Sequence, residues 1–496
     1  MSTQLTRRFF LGSVASGLAT QAFANAPVTS LRPLPRGAKA QKINAKSADG
    51  LIRAAKLGGD ISFVVADANT GEVLEVKNPI QALPPASVAK SLTALYALDK
   101  LGEDHRFRTR ILMTGSLENG RLNGDLILAG DGDPLLNTDA LGNMAKAMKT
   151  AGVVEVTGEF YVYDNALPYV DRIDVGQPDH LGYNPAICGL NLNFNRVHFQ
   201  WKKASGRYSV TMDARAKHYN PAVQIAKMSI VDRSAPIYTY AAAGTEDHWT
   251  VAKRALGNGG ARWLPVRHPG LYAGEVFQTI ARSHGVVLKS AKILDQLPDA
   301  QELTGQDGAV LSNVIQGMLK YSTNLTAEVL GLAASEKAGV APDGLAQSAQ
   351  AMNTWLKTEM GARDVAFVDH SGLGEESRIS AYDMVDALQK AHPKGQLRPL
   401  LKTIAVKNDR GEVLNNHPVK IVAKTGTLNF VSALSGYATT PNGRDLIFAI
   451  FTAELDRRAK IGKADRERPE GARSWAARSR RLQQQLIRRW TDVYEV

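Results

Sequence analysis

Along residues 61–76, ISFVVADANTGEVLEV, two apolar-rich runs flank Asn69-Thr70-Gly71, a strand–turn–strand pattern. The next stretch, PPASVAKSLTALYAL (84–98), changes period. Leu92, Leu95 and Leu98 recur at helical spacing after a Pro-Pro-Ala lead-in, which predicts a helix with a core-facing stripe. HRFRTRILMTG and GDLILAG read as strands, TDALGNMAKAMKTAG as a helix stopped at Gly152, and GEFYVYD as a further strand. From about 186 to 264 the pattern is mixed, with short strands and many small residues. GLYAGEVFQTIARSHG returns to helix, and AVLSNVIQGMLKYSTNLTAEVLGLAA is helical on both sides of a break near Tyr321–Asn324. The chain closes on three strands, VKIVAKTG, FVSALSGYATT and DLIFAIFTAEL, and an amphipathic helix with Trp475, Leu482, Leu486 and Trp490 on one stripe. Strands near both ends with helices between them predict an α+β layer: helices against an antiparallel sheet whose strands come from both chain ends, the middle being an insertion.

Composition narrows the class. With 496 residues, 44% of them hydrophobic and 22% charged, the chain is globular and long enough for two to four domains. A single cysteine, Cys188, excludes an intramolecular disulfide and a cysteine-cluster metal site. The net charge of +12 favours an anionic partner, and much of it lies late, in DRRAKIGKADRERPEGARSWAARSRRLQQQLIRRW, which also reads as a solvated helix face. The first residues, MSTQLTRRFFLGSVASGLATQAFANAP, combine Arg7–Arg8, a modest apolar stretch and Ala22-Phe23-Ala24. These are the parts of an export signal of twin-arginine type, cleaved after Ala24. Export makes nucleic acid an unexpected partner and turns the basic charge toward the cell wall or an anionic membrane surface. No later segment reaches about 20 apolar residues, so no transmembrane span is expected.

Three short motifs carry the chemistry. Ser87-Val88-Ala89-Lys90 is the only S-x-x-K in the chain, Ser322-Thr323-Asn324 the only S-x-N, and Lys424-Thr425-Gly426 the only K-T-G. Alone, Ser87 reads equally as a helix cap and Lys90 as a surface lysine. Together the three occupy a helix start, an interhelix break and a strand end, in the order found in penicillin-recognising serine enzymes. Positions i and i+3 share a helix face, so the Ser87 hydroxyl and Lys90 amine can touch. A serine needs an adjacent base, and a buried lysine beside a second cation can be one. On this reading Ser87 is the nucleophile, Lys90 the general base and Ser322 a proton shuttle between the two lysines. Asn324 holds the substrate amide, and Lys424 with Thr425 takes its terminal carboxylate. Gly426 lets the substrate lie close to the strand, and the N–H groups of Ser87 and Thr427 form an oxyanion hole. There is no G-x-S-x-G elbow, and of ten histidines only His370, in DHSGLG, sits suggestively, as a turn residue. No H-E-x-x-H, C-x-x-C or P-loop occurs, so neither metal nor cofactor is expected.

PASVAKSLTALYALDKLGEDHRFRTRI, GDGDPLL, YNPAICGLNLNFN, YSTNLTAEVLG, DHSGLG and AKTGTLNFVSALSGY together resemble the D-alanyl-D-alanine carboxypeptidase/endopeptidase family, the class C low-molecular-mass, penicillin-binding protein 4-like enzymes. The resemblance implies a β-lactamase/transpeptidase-like domain, an antiparallel sheet flanked by helices, with a large insertion forming two further mixed domains. Ser87 and Ser322 stand 235 positions apart, which suits such an insertion. The implied division is a catalytic domain from 27–106 and 307–496, an insertion domain from 107–185 and 265–306, and a nested domain over 186–264. The implied substrate is the peptidoglycan stem peptide, cut at its terminal D-alanine or cross-link, with β-lactams as inhibitors.

Two positions stand out against the family pattern. Where the family commonly reads D-G-S-G-L-S-R-x-N, this chain has Glu375 for the Arg and Ser377 for the Asn. In the family that Arg helps hold the stem peptide's side-chain end, so Glu375 is expected to repel a carboxylate and favour an amine or amidated end, with Arg378 a partial compensation. Asp164 matches an insertion aspartate that can bind the substrate's amine. Two other functions remain open at this point. A β-lactamase shares the three motifs but seldom carries so large an insertion. A non-catalytic wall-binding scaffold on the same fold has no need of all five polar groups.

Overall fold

The computed structural model describes residues 46–495; the export signal expected at 1–24 lies outside them. The element order follows the hydrophobic pattern. A six-stranded antiparallel sheet runs in the order 402–403, 420–428, 431–439, 445–453, 60–67, 73–77, so strands from both ends of the chain lie side by side. The Asp60–Asp67 strand shows why the sheet is buried on both faces. Val64 and Ala66 enter one apolar cluster, while Ile61, Phe63 and Val65 enter another, as the period of two requires.

The first cluster packs the helices Ala89–Leu101, Leu311–Tyr321, Asn324–Lys337, Leu345–Thr358 and Ala381–Ala391 on one face. The second packs Ala48–Ala55 and the last helix, Ala472–Val493, on the other. Trp490 lies 5.3 Å from Phe63 and 6.3 Å from Phe448, ring centre to ring centre, so the predicted stripe on the last helix does face the sheet. The helix after Ser87 differs from its prediction. Every residue from Ala89 to Leu98 is buried, so it is covered all round rather than along one stripe.

Residues between the first two motifs build separate sheets. Strands 106–113, 126–130, 160–163, 292–293 and 301–310 form a five-stranded sheet backed by the helices Thr138–Thr150 and Pro269–Ser283. The mixed stretch near 186–264 resolves into two three-stranded sheets over 196–265. One apolar cluster, from Ile111 and Phe160 through Phe199 and Trp249 to Leu288, runs under all of these sheets.

Candidate active site

Ser87 sits where two prolines delay helix formation. After Pro84-Pro85, Ala86 takes φ +47°, and one 3-10 turn, Ala86–Val88, leads into the Ala89–Leu101 helix. Positive φ outside glycine is uncommon and costs on the order of 1–3 kcal/mol, so it persists only where neighbours enforce it. Ser322 is another such residue: it ends the Leu311–Tyr321 helix in the left-handed conformation, φ 60°. Both motif serines are thus presented by turns that regular helix would not allow.

Lys90 is fully buried one turn after Ser87. Its Nζ lies 3.0 Å from Ser87 Oγ, 2.8 Å from Asn324 Oδ1 and 2.7 Å from the Ser371 carbonyl oxygen. Burial lowers the pKa of this amine to about 8, against the opposing pull of the Glu328 and Asp369 carboxylates. Lys424, also buried, donates to Ser322 Oγ at 2.9 Å and to the Thr425 carbonyl at 2.8 Å. Burial first, and then the cations Lys90 and Lys402, hold it well below its ordinary value. Ser322 therefore meets Lys424, while the remaining bonds of Lys90 go to Asn324 and Ser371 instead. Asn324 opens the Asn324–Lys337 helix and uses its other side-chain atom to bond the Tyr183 carbonyl at 3.0 Å, tying the insertion to the site.

Two glycines permit this approach. A Cβ on Gly426 would fall 2.7 Å from the Pro85 carbonyl oxygen and 3.1 Å from the Ser87 nitrogen. One on Gly372, at φ +73°, would fall 2.0 Å from the Ala86 carbonyl oxygen. A side chain on Gly426 must push the Lys420–Leu428 strand off the Ser87 turn. Gly426→Val is therefore expected to slow β-lactam acylation by on the order of 100-fold, the scale of a 1 Å misplacement, as read from the second-order acylation rate.

Sequence reasoning missed Glu328 and Asp369. Glu328, fully buried, accepts the backbone N–H groups of His370 and Ser371, both at 2.9 Å. It thereby fixes the peptide whose next carbonyl holds Lys90. Asp369 accepts from Gly372 and Gly374 N–H at 2.7 and 2.5 Å, holding the glycine that abuts Ala86. Burial pushes both carboxyl groups above their ordinary range. The available signal was an acid in the apolar run Val329-Leu330-Gly331-Leu332, four residues after Asn324, where a solvated acid has no reason to be. His370 itself is no base for Ser87: it is wholly buried beneath Gly331, bonds Ser348 Oγ at 2.7 Å, and burial lowers its pKa to about 3.

Ser87, Ser322, Asn324 and Thr427 line one cleft of about 640 Å³. Thr425 is exposed beside it on the same strand, and Gly426 is buried against Ser87. The structure does not bring Asp164 to this cleft. Its carboxylate packs at Gly270, at the start of the Pro269–Ser283 helix, close to the buried Cys188, and burial raises its pKa. With its carboxylate engaged there, Asp164→Asn is expected to change KM for a stem peptide less than about twofold, measured by D-alanine release. Glu375 is not among the residues lining the cleft either. Its Oε2 lies 3.4 Å from Arg458 and 3.3 Å from Arg466, two arginines that do line it. The expected repulsion of a carboxylate is thus cancelled by two guanidinium groups. Arg378 takes no part, since it bonds the backbone carbonyls of Glu375 and Ser377.

Comparison with known proteins fits this geometry. The family model described as D-Ala-D-Ala carboxypeptidase 3 (S13) matches residues 41–469. A D-alanyl-D-alanine carboxypeptidase from an Actinomadura species is 29% identical over 476 residues, covering 86% of each chain. The D-alanyl-D-alanine carboxypeptidase DacB of Haemophilus influenzae is 23% identical, over 81% of this chain and 88% of that one. The crystal structure of penicillin binding protein 4 from Haemophilus influenzae superposes with a TM-score of 0.71 at 19% identity, over 89% of this chain and 99% of that chain, which establishes the shared fold. A serine held against a buried lysine, the S-x-N and K-T-G residues gathered around it, and a family match across most of the sequence place this chain in the D-Ala-D-Ala carboxypeptidase 3 (S13) family.

Proposed function

We propose that the protein is a serine-type D-alanyl-D-alanine carboxypeptidase/endopeptidase whose acyl-enzyme forms on Ser87. The observation that carries the reading is the 3.0 Å contact between Ser87 Oγ and a fully buried Lys90. In its neutral form the amine accepts the Ser87 proton along that contact as Oγ attacks the penultimate D-alanine carbonyl. The backbone N–H groups of Ser87 and Thr427 receive the oxyanion. Gly426 brings their two segments within the reach this needs. The proton that Lys90 accepted is relayed through the Ser322 hydroxyl, which Lys424 holds, to the leaving amine, so that Lys90 is neutral again, and the terminal carboxylate rests on Lys424 and Thr425. Water then attacks the Ser87 ester, the neutral Lys90 amine taking its proton and handing one to Ser87 Oγ as the acyl bond breaks. Glu328 and Asp369 position the loop that holds Lys90. β-Lactams enter by the same attack and stay as the Ser87 ester.

The division into a catalytic domain, an insertion and a nested domain belongs to the same proposal, as does a periplasmic location reached through the Arg7–Arg8 signal. Among the described residues no helix is long and apolar enough to cross a membrane, and the basic C-terminal region suits peripheral contact with an anionic wall or membrane surface. The test is release of D-alanine from a stem peptide ending in D-Ala-D-Ala, alongside the intact mass of the protein after exposure to a β-lactam. A mass shift with D-alanine release supports the peptidase. Rapid drug hydrolysis with no peptide cleavage would make it a β-lactamase, and neither reaction would leave a binding scaffold.

A further inference from the structure

The catalytic steps leave the Tyr183-Asn184-Pro185 motif without a task, yet its backbone enters the site. Asn324 Nδ2 donates to the Tyr183 carbonyl at 3.0 Å, and Asn324 Oδ1 accepts from Lys90 at 2.8 Å. The first bond dictates the second. With the amide reversed, Oδ1 would face the Tyr183 carbonyl oxygen, acceptor against acceptor. The NH2 group would then face Lys90, where it either repels an N–H or takes up the lone pair. In the orientation found, Lys90 is set up as a base. A neutral amine has two N–H groups: Asn324 Oδ1 takes one and the Ser371 carbonyl, at 2.7 Å, takes the other. The lone pair is left for Ser87 Oγ at 3.0 Å.

What holds the Tyr183 carbonyl in place is therefore a question about catalysis. Tyr183 lies near the end of a segment, 171–184, that contains neither helix nor strand. Polar contacts give it its shape. Asn184 takes the Asp174 N–H on Oδ1 at 3.0 Å and gives Nδ2 to the Asp174 carbonyl at 2.8 Å, closing the loop on itself. Arg267, only 1% exposed, then gathers three points of the segment. Its Nη1 donates to the carbonyls of Asp171 at 2.8 Å and Asn184 at 3.0 Å, and its Nη2 to that of Asp179 at 3.0 Å. One of these is the residue directly after Tyr183. Arg267 is itself fixed: the buried Asp247 accepts its N–H at 2.9 Å, and the Asn195 carbonyl accepts the N–H of Val266 at 2.9 Å. Asn195 closes the YNPAICGLNLNFN stretch that Tyr183 opens.

We infer that Arg267 is a positioning residue for acylation: by holding the 171–184 segment it sets the Tyr183 carbonyl, and through it the Asn324 amide and the lone pair of Lys90. This rests on the peptidase reading above and adds to it a part for the residues between the first two motifs. Guanidinium suits the task, because its rigid planar fork reaches several acceptors at once and keeps its charge at any working pH. The Asn324 NH2 group has two hydrogens, so the Tyr183 bond leaves one for a substrate carbonyl. Holding the amide and binding the substrate are thus compatible.

The test measures the second-order rate of β-lactam acylation for wild type, Arg267→Lys, Asn184→Ala, Asn324→Ala and the pairs Arg267→Lys/Asn324→Ala and Asn184→Ala/Asn324→Ala, with thermal unfolding recorded for each. Lysine keeps the charge but, as a point donor, cannot span the three carbonyls. Asn184→Ala opens the loop without touching the arginine. Each is expected to lower the rate on the order of tenfold, and Asn324→Ala on the order of 100-fold. Adding either segment variant to Asn324→Ala should lower the rate no further, because the group through which both act is gone. A further tenfold loss in the pairs would make the segment independent of Asn324 and overturn the inference, as would wild-type rates in both folded single variants. If Arg267→Lys fails to fold, Asn184→Ala decides alone; failure of both to fold assigns the segment to stability and removes the positioning role. D-alanine release by wild type is followed in parallel. Acylation and release without the expected non-additivity sink the role of Arg267 alone, whereas neither acylation nor release sinks the peptidase reading and this inference with it.

Discussion

Ser87→Ala protein keeps its mass unchanged after incubation with a β-lactam under conditions where wild type gains the mass of one drug molecule, and its D-alanine release falls by at least about a thousandfold. The size of the effect follows from the chemistry. Every bond-making step passes through Ser87 Oγ, and no second hydroxyl is placed to replace it. Ser322 Oγ is held by Lys424. The neighbouring Ser91 and the loop residue Ser371 are buried. Removing a nucleophile leaves only the contribution of binding and of the oxyanion donors, which is why losses of this kind run to several orders of magnitude. The folded state is little disturbed, because Ser87 is partly exposed in a turn whose shape is set by Pro84-Pro85 and Gly426. An adduct that forms equally on the alanine protein would place the acylated residue elsewhere and remove the mechanism.

The second large effect is expected at Lys90. Burial brings its amine to a pKa of about 8, and only the neutral form can accept the Ser87 proton. The sign is then set. Below about pH 8 the base is protonated, and the β-lactam acylation rate should fall close to tenfold for each pH unit. Near and above that value the rate should level off. Lys90→Met keeps the length and apolar contacts of the side chain, removes the base, and should lower the rate about 10²- to 10⁴-fold while abolishing the rising limb. The same substitution removes a buried donor shared by Ser87, Asn324 and Ser371, so thermal unfolding is recorded beside the rate. A folded Lys90→Met protein that retains the wild-type pH profile would assign the base to another group. Lys424 moves in the same direction as Lys90, because it too is buried and lies near like charges. As pH rises and it loses its proton, its hold on a substrate carboxylate weakens. KM for the peptide should therefore climb as pH rises through the Lys424 titration.

These expectations draw unequally on sequence and structure. Period and turn chemistry located the break at Tyr321–Asn324, the strand that carries Lys424-Thr425-Gly426, and the last helix with its tryptophans, although that strand runs on to Leu428 rather than ending at the motif. They are legible because local rules govern them. A helix must stop where its residues change conformation, and a strand buried on both faces must be apolar at nearly every position. The motif spacing likewise put Ser87 and Lys90 on one face before any fold was known, since three residues apart in a helix is a distance and not a guess.

Glu328 was not legible because its role depends on backbone N–H groups of a loop more than 40 residues away, and Asp369, whose N–H partners are local, because the glycine it holds abuts Ala86 only in the fold. Asp164 was matched by local sequence and lies elsewhere, because its strand delivers it to the start of a helix in the insertion. Glu375 was read with the right charge and the wrong neighbours: Arg458 and Arg466 stand 83 and 91 positions further along the chain, and no period connects them. By itself the sequence determined the elements that carry the three motifs, the motifs themselves and the class of reaction, while the helices Leu345–Thr358 and Ala381–Ala391 went unread. The tertiary structure alone decided how low Lys90 titrates, which carboxylates support it, and what charge the far end of the cleft presents. Desolvation and long-range pairing set those properties, and both exist only once distant segments close over the same volume.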